Sequence, residues 1–292
     1  MNYPHSLALR RLLSAKIFDM SVITLTTDFG LEDSYVAAMK GVILGINPQA
    51  TIVDVTHAVP PQDIQAGAFA LLGVAPYFPK GTVHVAVIDP GVGSERRAIA
   101  LQAGGYFFIG PDNGVLTLAA QVHNLRRKLS LVRPSSAIKA IHLLNPEYWL
   151  SEVSSTFHGR DIFAPVAAHL TSGEPFDNFG VPIEDYAMLE LKAPVERDDA
   201  LIGEILYIDR FGNLISNILN RHIPEVREQA RVEIAKACFR GIFQTYANAH
   251  VGDPLALIGS SGFLEIAVRN GSAARQLDAK IGDPVIITMP KT

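Results

Sequence analysis

The chain has 292 residues, 48% of them hydrophobic and 18% charged, enough for one large or two medium domains with a full core. A net charge of -4 at pH 7, with lysines and arginines clustering no further than pairs such as Arg126-Arg127, leaves no electrostatic footprint for nucleic acid or an anionic membrane. The single Cys238 excludes an internal disulfide framework and a Cys-based zinc site, no stretch reaches the ~18 apolar residues of a membrane span, and a cytoplasmic protein is expected.

Residues 1–19 hold Arg10, Arg11 and a mildly apolar Leu7 to Leu13 but no signal-peptide pattern, so they read as a disordered N-terminal extension or an overlong start. A first strand is expected over Val22 to Thr27, ended by Asp28-Phe29-Gly30, and then a helix from Tyr35 to Leu44 that Gly45 and Pro48 close. Thr51 to Val55 is the next strand, ended by Thr56-His57, and Asp63 caps a helix from Ile64 through Leu72 to Tyr77. The third strand, Thr82 to Ile88, runs into Asp89 and a Pro-Gly-Val-Gly turn, with Arg96 returning on the same loop. Ala98 to Leu101 and Tyr106 to Ile109 are extended, and the turn Pro111-Asp112-Asn113-Gly114 precedes a helical Val115 to Val122. This alternation argues for an α/β domain over 20–185, built on a mainly parallel sheet covered by helices.

Asp28 and Asp89 each end a strand with glycine close behind. In an open α/β sheet, ligands bind beyond the carboxyl ends of the strands, so this shared edge is the candidate cleft. Taken singly, Asp28 also fits a cap or turn, and Asp89 with Arg96 a solvated ion pair.

Residues 123–153, including Pro146-Glu147-Tyr148-Trp149, read as a loop or excursion. From 154 to 168, S-S-T-F-H-G-R-D-I-F-A-P-V-A-A sets His158 on a glycine turn at the entrance of an apolar helix. There it can be a proton carrier, an anion-facing donor or a structural residue. The G-V-G-S-E-R-R loop lacks both the Walker lysine spacing and the dinucleotide fingerprint.

Prolines and acids from Phe176 to Asp199 suggest a linker, placed at 186–200 between the two domains. After Leu201 come short strand runs: Ile202 to Ile208, Leu214 to Ile218, Arg231 to Ile234, Phe239 to Tyr246, Pro254 to Ile258, Phe263 to Val268 and Pro284 to Met289. They point to a C-terminal β-barrel domain over 201–292. Gly252-Asp253-Pro254 and Gly282-Asp283-Pro284 repeat one barrel corner. Asp209-Arg210-Phe211-Gly212-Asn213 offers a carboxylate, an aromatic face and an amide suited to an aminated heterocycle, and Ser260-Ser261-Gly262 offers hydroxyls and backbone for a carboxylate. Both are also ordinary turn compositions.

Seven motifs in order resemble one family: T-D-F-G at 27, D-V-T-H at 54, D-P-G-V-G-S-E-R-R at 89, G-P-D-N-G at 110, T-F-H-G-R-D-I-F-A-P at 156, D-R-F-G-N at 209 and S-S-G-F-L-E-I-A at 260. It is the S-adenosyl-methionine hydroxide adenosyltransferase family, relatives of the fluorinating and chlorinating enzymes. The resemblance implies an N-terminal α/β domain, a C-terminal β-barrel, and a homotrimer with sites between subunits. It also implies hydrolysis of S-adenosyl-L-methionine to adenosine and methionine, with no cofactor, no metal, and neither nucleic acid nor membrane as partner. The family's water-activating residues fall on Asp89, Arg96 and His158, and its ribose-binding aspartate on Asp28, with Asp33 and Tyr35 beside it. Adenine contacts match Phe211, Asn213 and the backbone near Val268; Asp209, Ser260 and Ser261 match the methionine end, and Glu265 joins the substrate-binding set. A halogenating relative would carry neutral residues at 89, 96 and 158 and an extra loop in the first domain, whereas here Gly105 runs directly into Tyr106. A carboxylate at 89 repels halide, and a binding-only sensor needs no ionisable cluster there.

Overall fold

The computed structural model describes residues 21–121, 138–223 and 227–288. The expected N-terminal extension, Arg126-Arg127, and the final residues Val122 and Met289 of two expected elements lie outside them. The chain divides into two compact units, Met1–Leu189 and Glu190–Thr292.

In the first unit, β1 (Val22–Thr27), α1 (Tyr35–Ile46), β2 (Thr51–Thr56), α2 (Ile64–Val74) and β3 (Val83–Val87) follow in the expected order. Asp63 caps α2, its Oδ1 accepting from the Ala66 N–H at 2.9 Å, which satisfies one of the donors that a helix start leaves open. The expected helix through Tyr77 instead tightens into a 3₁₀ turn over Ala75–Tyr77, where Pro76 has no N–H for the α-helical ladder.

Four more strands, β4 (Ala98–Ala103), β5 (Tyr106–Pro111), β6 (Lys139–Leu143) and β7 (Gly180–Ile183), complete a sheet of order β2-β1-β3-β5-β4-β6-β7. β2, β1, β3 and β5 run parallel. β4 is antiparallel to β5 and to β6, and β6 to β7. The expected parallel character therefore holds for one half of the sheet only. Two residues, Gly104 and Gly105, join β4 to β5 with φ of 58 and 87, and so short a link can make only a hairpin. β6 and β7 stand where only a loop and a proline-rich stretch are expected.

Ile23, Leu25, Val83 and Val85 pack with Met39 and Ile43 of α1 and Val166 of α3 (Ala164–Thr171), each large side chain contributing about 1.5–3 kcal/mol through burial. β1 is buried along its whole length, as a central parallel strand covered on both faces should be. His84 is fully buried, bonded through Nδ1 to Thr24 Oγ1 at 2.8 Å and stacked on Phe108. Burial pushes its pKa down to about 4, so it belongs to the core as a neutral ring.

The second unit holds β8 (Val195–Arg197), β9 (Ala200–Ile208), β10 (Leu214–Leu219), β11 (Arg231–Ile234), β12 (Ala237–Arg240), β13 (Ile242–Phe243), β14 (Pro254–Ile258), β15 (Phe263–Val268), a short α4 (Ala273–Gln276) and β16 (Pro284–Thr288). The sheet runs β12-β11-β16-β9-β10-β15-β14-β13, with β8 added on β9. Its two edge strands are consecutive in the chain and separated by Gly241 alone, so the sheet curls into a nearly closed barrel. Gly241 at φ 97 also breaks the single strand expected from Phe239 to Tyr246. Ile205, Leu214, Val232, Leu264, Ile266 and Val285 fill the interior. Gly252 and Gly282 both adopt φ 88 at the entries to β14 and β16, the repeated corner.

The boundary between the two units, after Leu189, falls inside the linker expected over 186–200, whose residues 186–194 carry no helix or strand. Ala187 N–H donates to Asp112 Oδ1 at 2.7 Å and Leu189 N–H to Thr117 Oγ1 at 3.0 Å, and β8 pairs with β9. No helix among the described residues is long and apolar enough to cross a membrane.

Candidate active site

β1 and β3 are parallel neighbours, with Thr27 opposite Val87, so Asp28 and Asp89 leave the sheet at the same edge. Both line a cleft of about 420 Å³, together with Tyr35, Gln62, Phe157 and His158. Phe157 meets Phe29 and Tyr35 edge to face, and Phe29 and Tyr35 are tilted against each other, with ring centroids 5.2 to 5.8 Å apart.

Arg96 donates from Nε to Asp89 Oδ1 at 2.9 Å and from Nη2 to Asp89 Oδ2. The pair is 10% and 5% exposed at its side chains, which rules out the solvated turn pair that the sequence left open. Nη2 also donates to His158 Nδ1 at 2.8 Å. Because a guanidinium has only donors, Nδ1 must accept, and a neutral His158 ring then carries its hydrogen on Nε2. Burial, and after it the charge of Arg96, holds the His158 pKa below the ordinary imidazole value, against smaller upward pulls from Asp89 and Asp161. The result is a carboxylate and a neutral imidazole held by one guanidinium, whose Cζ lies 5.4 Å from the centre of the Phe163 ring.

Two loops bring the three residues together. Gly93 has φ 77, and a Cβ there would lie 2.4 Å from the Ser155 carbonyl oxygen, so the Asp89–Arg96 loop touches the loop before His158 at a point where only glycine fits. A π-helical turn over Gly159–Phe163 follows His158. Inside it, fully buried Asp161 accepts from the Ser154 N–H at 2.8 Å and from Arg160 Nε at 2.5 Å, tying the loop to the helix entrance. Such π-turns concentrate at functional sites.

Asp28 is held by its neighbours. Its Oδ2 accepts from the Gln62 N–H at 2.8 Å, and Gln62 takes the unusual φ of 66 to provide it. Behind the Asp28-Phe29-Gly30 turn, Asp54 faces Lys40 Nζ at 2.6 Å and His57 Nε2 at 3.0 Å. His57 Nδ1 meets Thr27 Oγ1 at 2.8 Å, and the Gly30 N–H reaches the His57 carbonyl at 2.8 Å. The D-V-T-H motif thus supports the turn that carries Asp28. Asp33 is exposed and is not among the residues that line the cleft.

In the second unit, Asp209 Oδ1 accepts from the N–H groups of Phe211 and Asn213 at 2.9 and 2.8 Å, and Oδ2 from Asn213 Nδ2 at 2.9 Å. Phe211 is left 77% exposed. Gly212 takes φ 84 against Ser272. Ser260 and Ser261 are exposed on the tight turn between β14 and β15, and the Val268 side chain is buried at the end of β15. Glu265 is buried; its Oε1 accepts from the Tyr246 hydroxyl at 2.5 Å, and burial raises its pKa.

Gln62, Phe157 and Tyr246 were not among the residues singled out from the sequence. Phe157 sits inside the T-F-H-G motif and was within reach of it. Gln62 acts through its backbone and Tyr246 through a partner 19 residues away, and neither leaves a local signal.

Residues 23–180 match the model of the SAM hydroxide adenosyltransferase N-terminal domain, and residues 203–286 that of its C-terminal domain. The chain belongs to the SAM hydroxide adenosyltransferase family. It is similar to a Thermus thermophilus protein named (R)-S-adenosyl-L-methionine hydrolase, 41% identical over 268 residues that make up 91% of this chain and 99% of the relative. It is more distantly similar to a fluorinase of an Actinoplanes species, 28% identical with 91% and 97% covered. Among solved structures, an uncharacterized conserved protein from Thermotoga maritima superposes with a TM-score of 0.79 at 35% identity, covering 91% of this chain and 99% of that one. As a SAM hydroxide adenosyltransferase, the chain carries its half-buried carboxylate–guanidinium–imidazole set in the N-terminal domain and its exposed Phe211 in the C-terminal one.

Proposed function

We propose that this protein hydrolyses S-adenosyl-L-methionine to adenosine and L-methionine by attack of water or hydroxide at the 5′ carbon. The observation that carries the reading is the half-buried Asp89–Arg96–His158 set at the strand edge of the cleft. The relative at 41% identity whose name states this activity supports it.

The reaction is an in-line displacement. The oxygen of water bonds to C5′, the C5′–S bond breaks, and its electron pair returns to sulfur, so that the sulfonium leaves as the neutral thioether of methionine. No acid is needed for the leaving group. What the protein must supply is a positioned water and a place for its proton. Arg96 occupies one acceptor direction on each Asp89 oxygen, and a carboxylate oxygen has a second for a water O–H. The Nε2–H of His158 donates to the water oxygen. General-base assistance of this kind is typically worth ~10²- to 10⁴-fold, and in-line placement in a dry cleft adds to it.

In the same reading Asp28 holds the ribose hydroxyls, with Tyr35 and Asp33 beside it. Phe211 stacks on adenine, with Asn213 and the Val268 backbone at its edge, Asp209, Ser260 and Ser261 serve the methionine end, and Glu265 joins the substrate-binding set. The protein acts in the cytoplasm as a homotrimer with sites shared between subunits, needing neither cofactor nor metal. A buried carboxylate beside the attacking position repels halide, which favours hydrolysis over halogenation.

The test is to incubate purified protein with S-adenosyl-L-methionine, with and without excess chloride or fluoride, and to separate the products by chromatography. Adenosine and methionine in both arms are expected. A 5′-halo-adenosine, or binding without product, overturns the reading.

A further inference from the structure

The turn G-P-D-N-G at 110–114 takes no part in the chemistry above, yet it grips the loop that carries Asp89 and Arg96 at both ends. Gly110 brings β5 against β3 so closely that a Cβ there would lie 2.3 Å from the Ala86 carbonyl oxygen. Asn113 Nδ2 then donates to the Ile88 carbonyl at 2.8 Å, one residue before Asp89. Its Oδ1 accepts from the Val115 N–H at 3.2 Å, which fixes the orientation of the amide. At the other end, one residue after Arg96, the Asp112 N–H donates to the Arg97 carbonyl at 2.9 Å and Asp112 Oδ2 accepts from Arg97 Nε at 2.8 Å.

The grip is itself anchored. The Asp112 side chain is 5% exposed, and its Oδ1 is held by the Ala187 N–H at 2.7 Å. The adjacent Arg96 and Arg97 therefore face separate carboxylates, and the loop between residues 88 and 97 has fixed ends on a single turn. Its own bonds, from the Ser94 hydroxyl to the Gly91 carbonyl at 2.6 Å and from the Val92 N–H to the Asp89 carbonyl at 3.2 Å, are local and do not tie it to the sheet.

We propose that Asp112 and Asn113 are positioning residues for the reaction: by holding the Ile88 carbonyl and Arg97 they set where Asp89 and Arg96 stand at the cleft, without touching substrate. This rests on the reading of Asp89 as the residue that holds the attacking water. A misplacement of about 1 Å at a reacting group can lower a rate by about 100-fold, so the expected signature is a loss of rate and not of affinity.

The test uses the full-length protein with Asn113→Ala, which deletes the donor, and Asn113→Asp, which keeps the shape but turns the donor into an acceptor. Single-turnover hydrolysis at saturating S-adenosyl-L-methionine and calorimetric affinity are measured for each, alone and combined with Asp89→Asn. The expected result is a rate loss of up to roughly 100-fold with unchanged affinity, and no further loss once Asp89 is already replaced, since the two residues act through one step. Full rate in both Asn113 variants, or a loss that multiplies with that of Asp89→Asn, overturns the proposal. Full rate in Asp89→Asn alone overturns the underlying reading of Asp89, and is told apart by that single variant. If Asn113→Ala does not fold, Asn113→Asp and Asp112→Asn carry the same comparison.

Discussion

The loops after β3 and after β9 begin alike, an aspartate at a strand end followed by arginine and glycine within a few residues, yet they use the aspartate in opposite ways. Asp209 spends both oxygens on its own loop, taking two backbone N–H groups and the Asn213 amide. Asp89 takes no backbone donor of its own loop in the bonds that hold its carboxylate; a guanidinium holds both oxygens from the side. The difference teaches how to read a strand-end carboxylate. When backbone amides satisfy it, it builds a turn; when a charged side chain holds it at a cleft, it is set for chemistry.

Substitution at the two aspartates separates these roles. Asp89→Asn should lower kcat by ~10²- to 10⁴-fold while calorimetric affinity for S-adenosyl-L-methionine persists. Asp209→Asn should instead loosen its loop, weakening affinity and lowering the melting temperature with the saturated rate kept. A kcat defect in Asp209→Asn at normal KM would erase the distinction.

A smaller effect sharpens it from the other side. Phe211 is 77% exposed, so Phe211→Leu should leave the melting temperature unchanged and raise the dissociation constant roughly 10-fold, as the loss of stacking on a base does. An unchanged dissociation constant would remove Phe211 from the adenine site.

The smallest effect concerns pH. His158 is held below its ordinary pKa, by burial first and by Arg96 second. Its neutral form therefore persists as pH falls through the usual imidazole range, and kcat/KM should stay flat there and decline only at lower pH. In His158→Asn the part of that acidic limb that belongs to the imidazole should be lost; a limb at the ordinary histidine pKa in the unsubstituted protein would contradict the assigned environment.

Much of this was readable in the residues. Val22–Thr27, Arg231–Ile234, Pro254–Ile258 and Phe263–Val268 form strands with the expected bounds, because β-branched and apolar runs there end abruptly in turn residues. The placement of Asp28 and Asp89 on one edge followed from two parallel strand ends. What was not readable depends on partners remote in sequence. β6 and β7 exist through pairing with β4 and with each other, although β7 is a half-exposed G-V-P-I with no strand pattern. Likewise, no local pattern says that Asp209 is held by backbone amides of its loop whereas Asp89 is held by a guanidinium, since both are Asp followed by turn residues. The orientation of the His158 ring leaves no local signal either, because it is set by Arg96, 62 residues away.

The place of Arg96 between Asp89 and His158 has one more consequence. A guanidinium stays protonated throughout the working pH range, so it insulates the two groups against proton exchange. In the proposed hydrolysis, a hydrogen that Asp89 receives therefore has no route to the imidazole through Arg96 and leaves on the side of the carboxylate that faces the cleft.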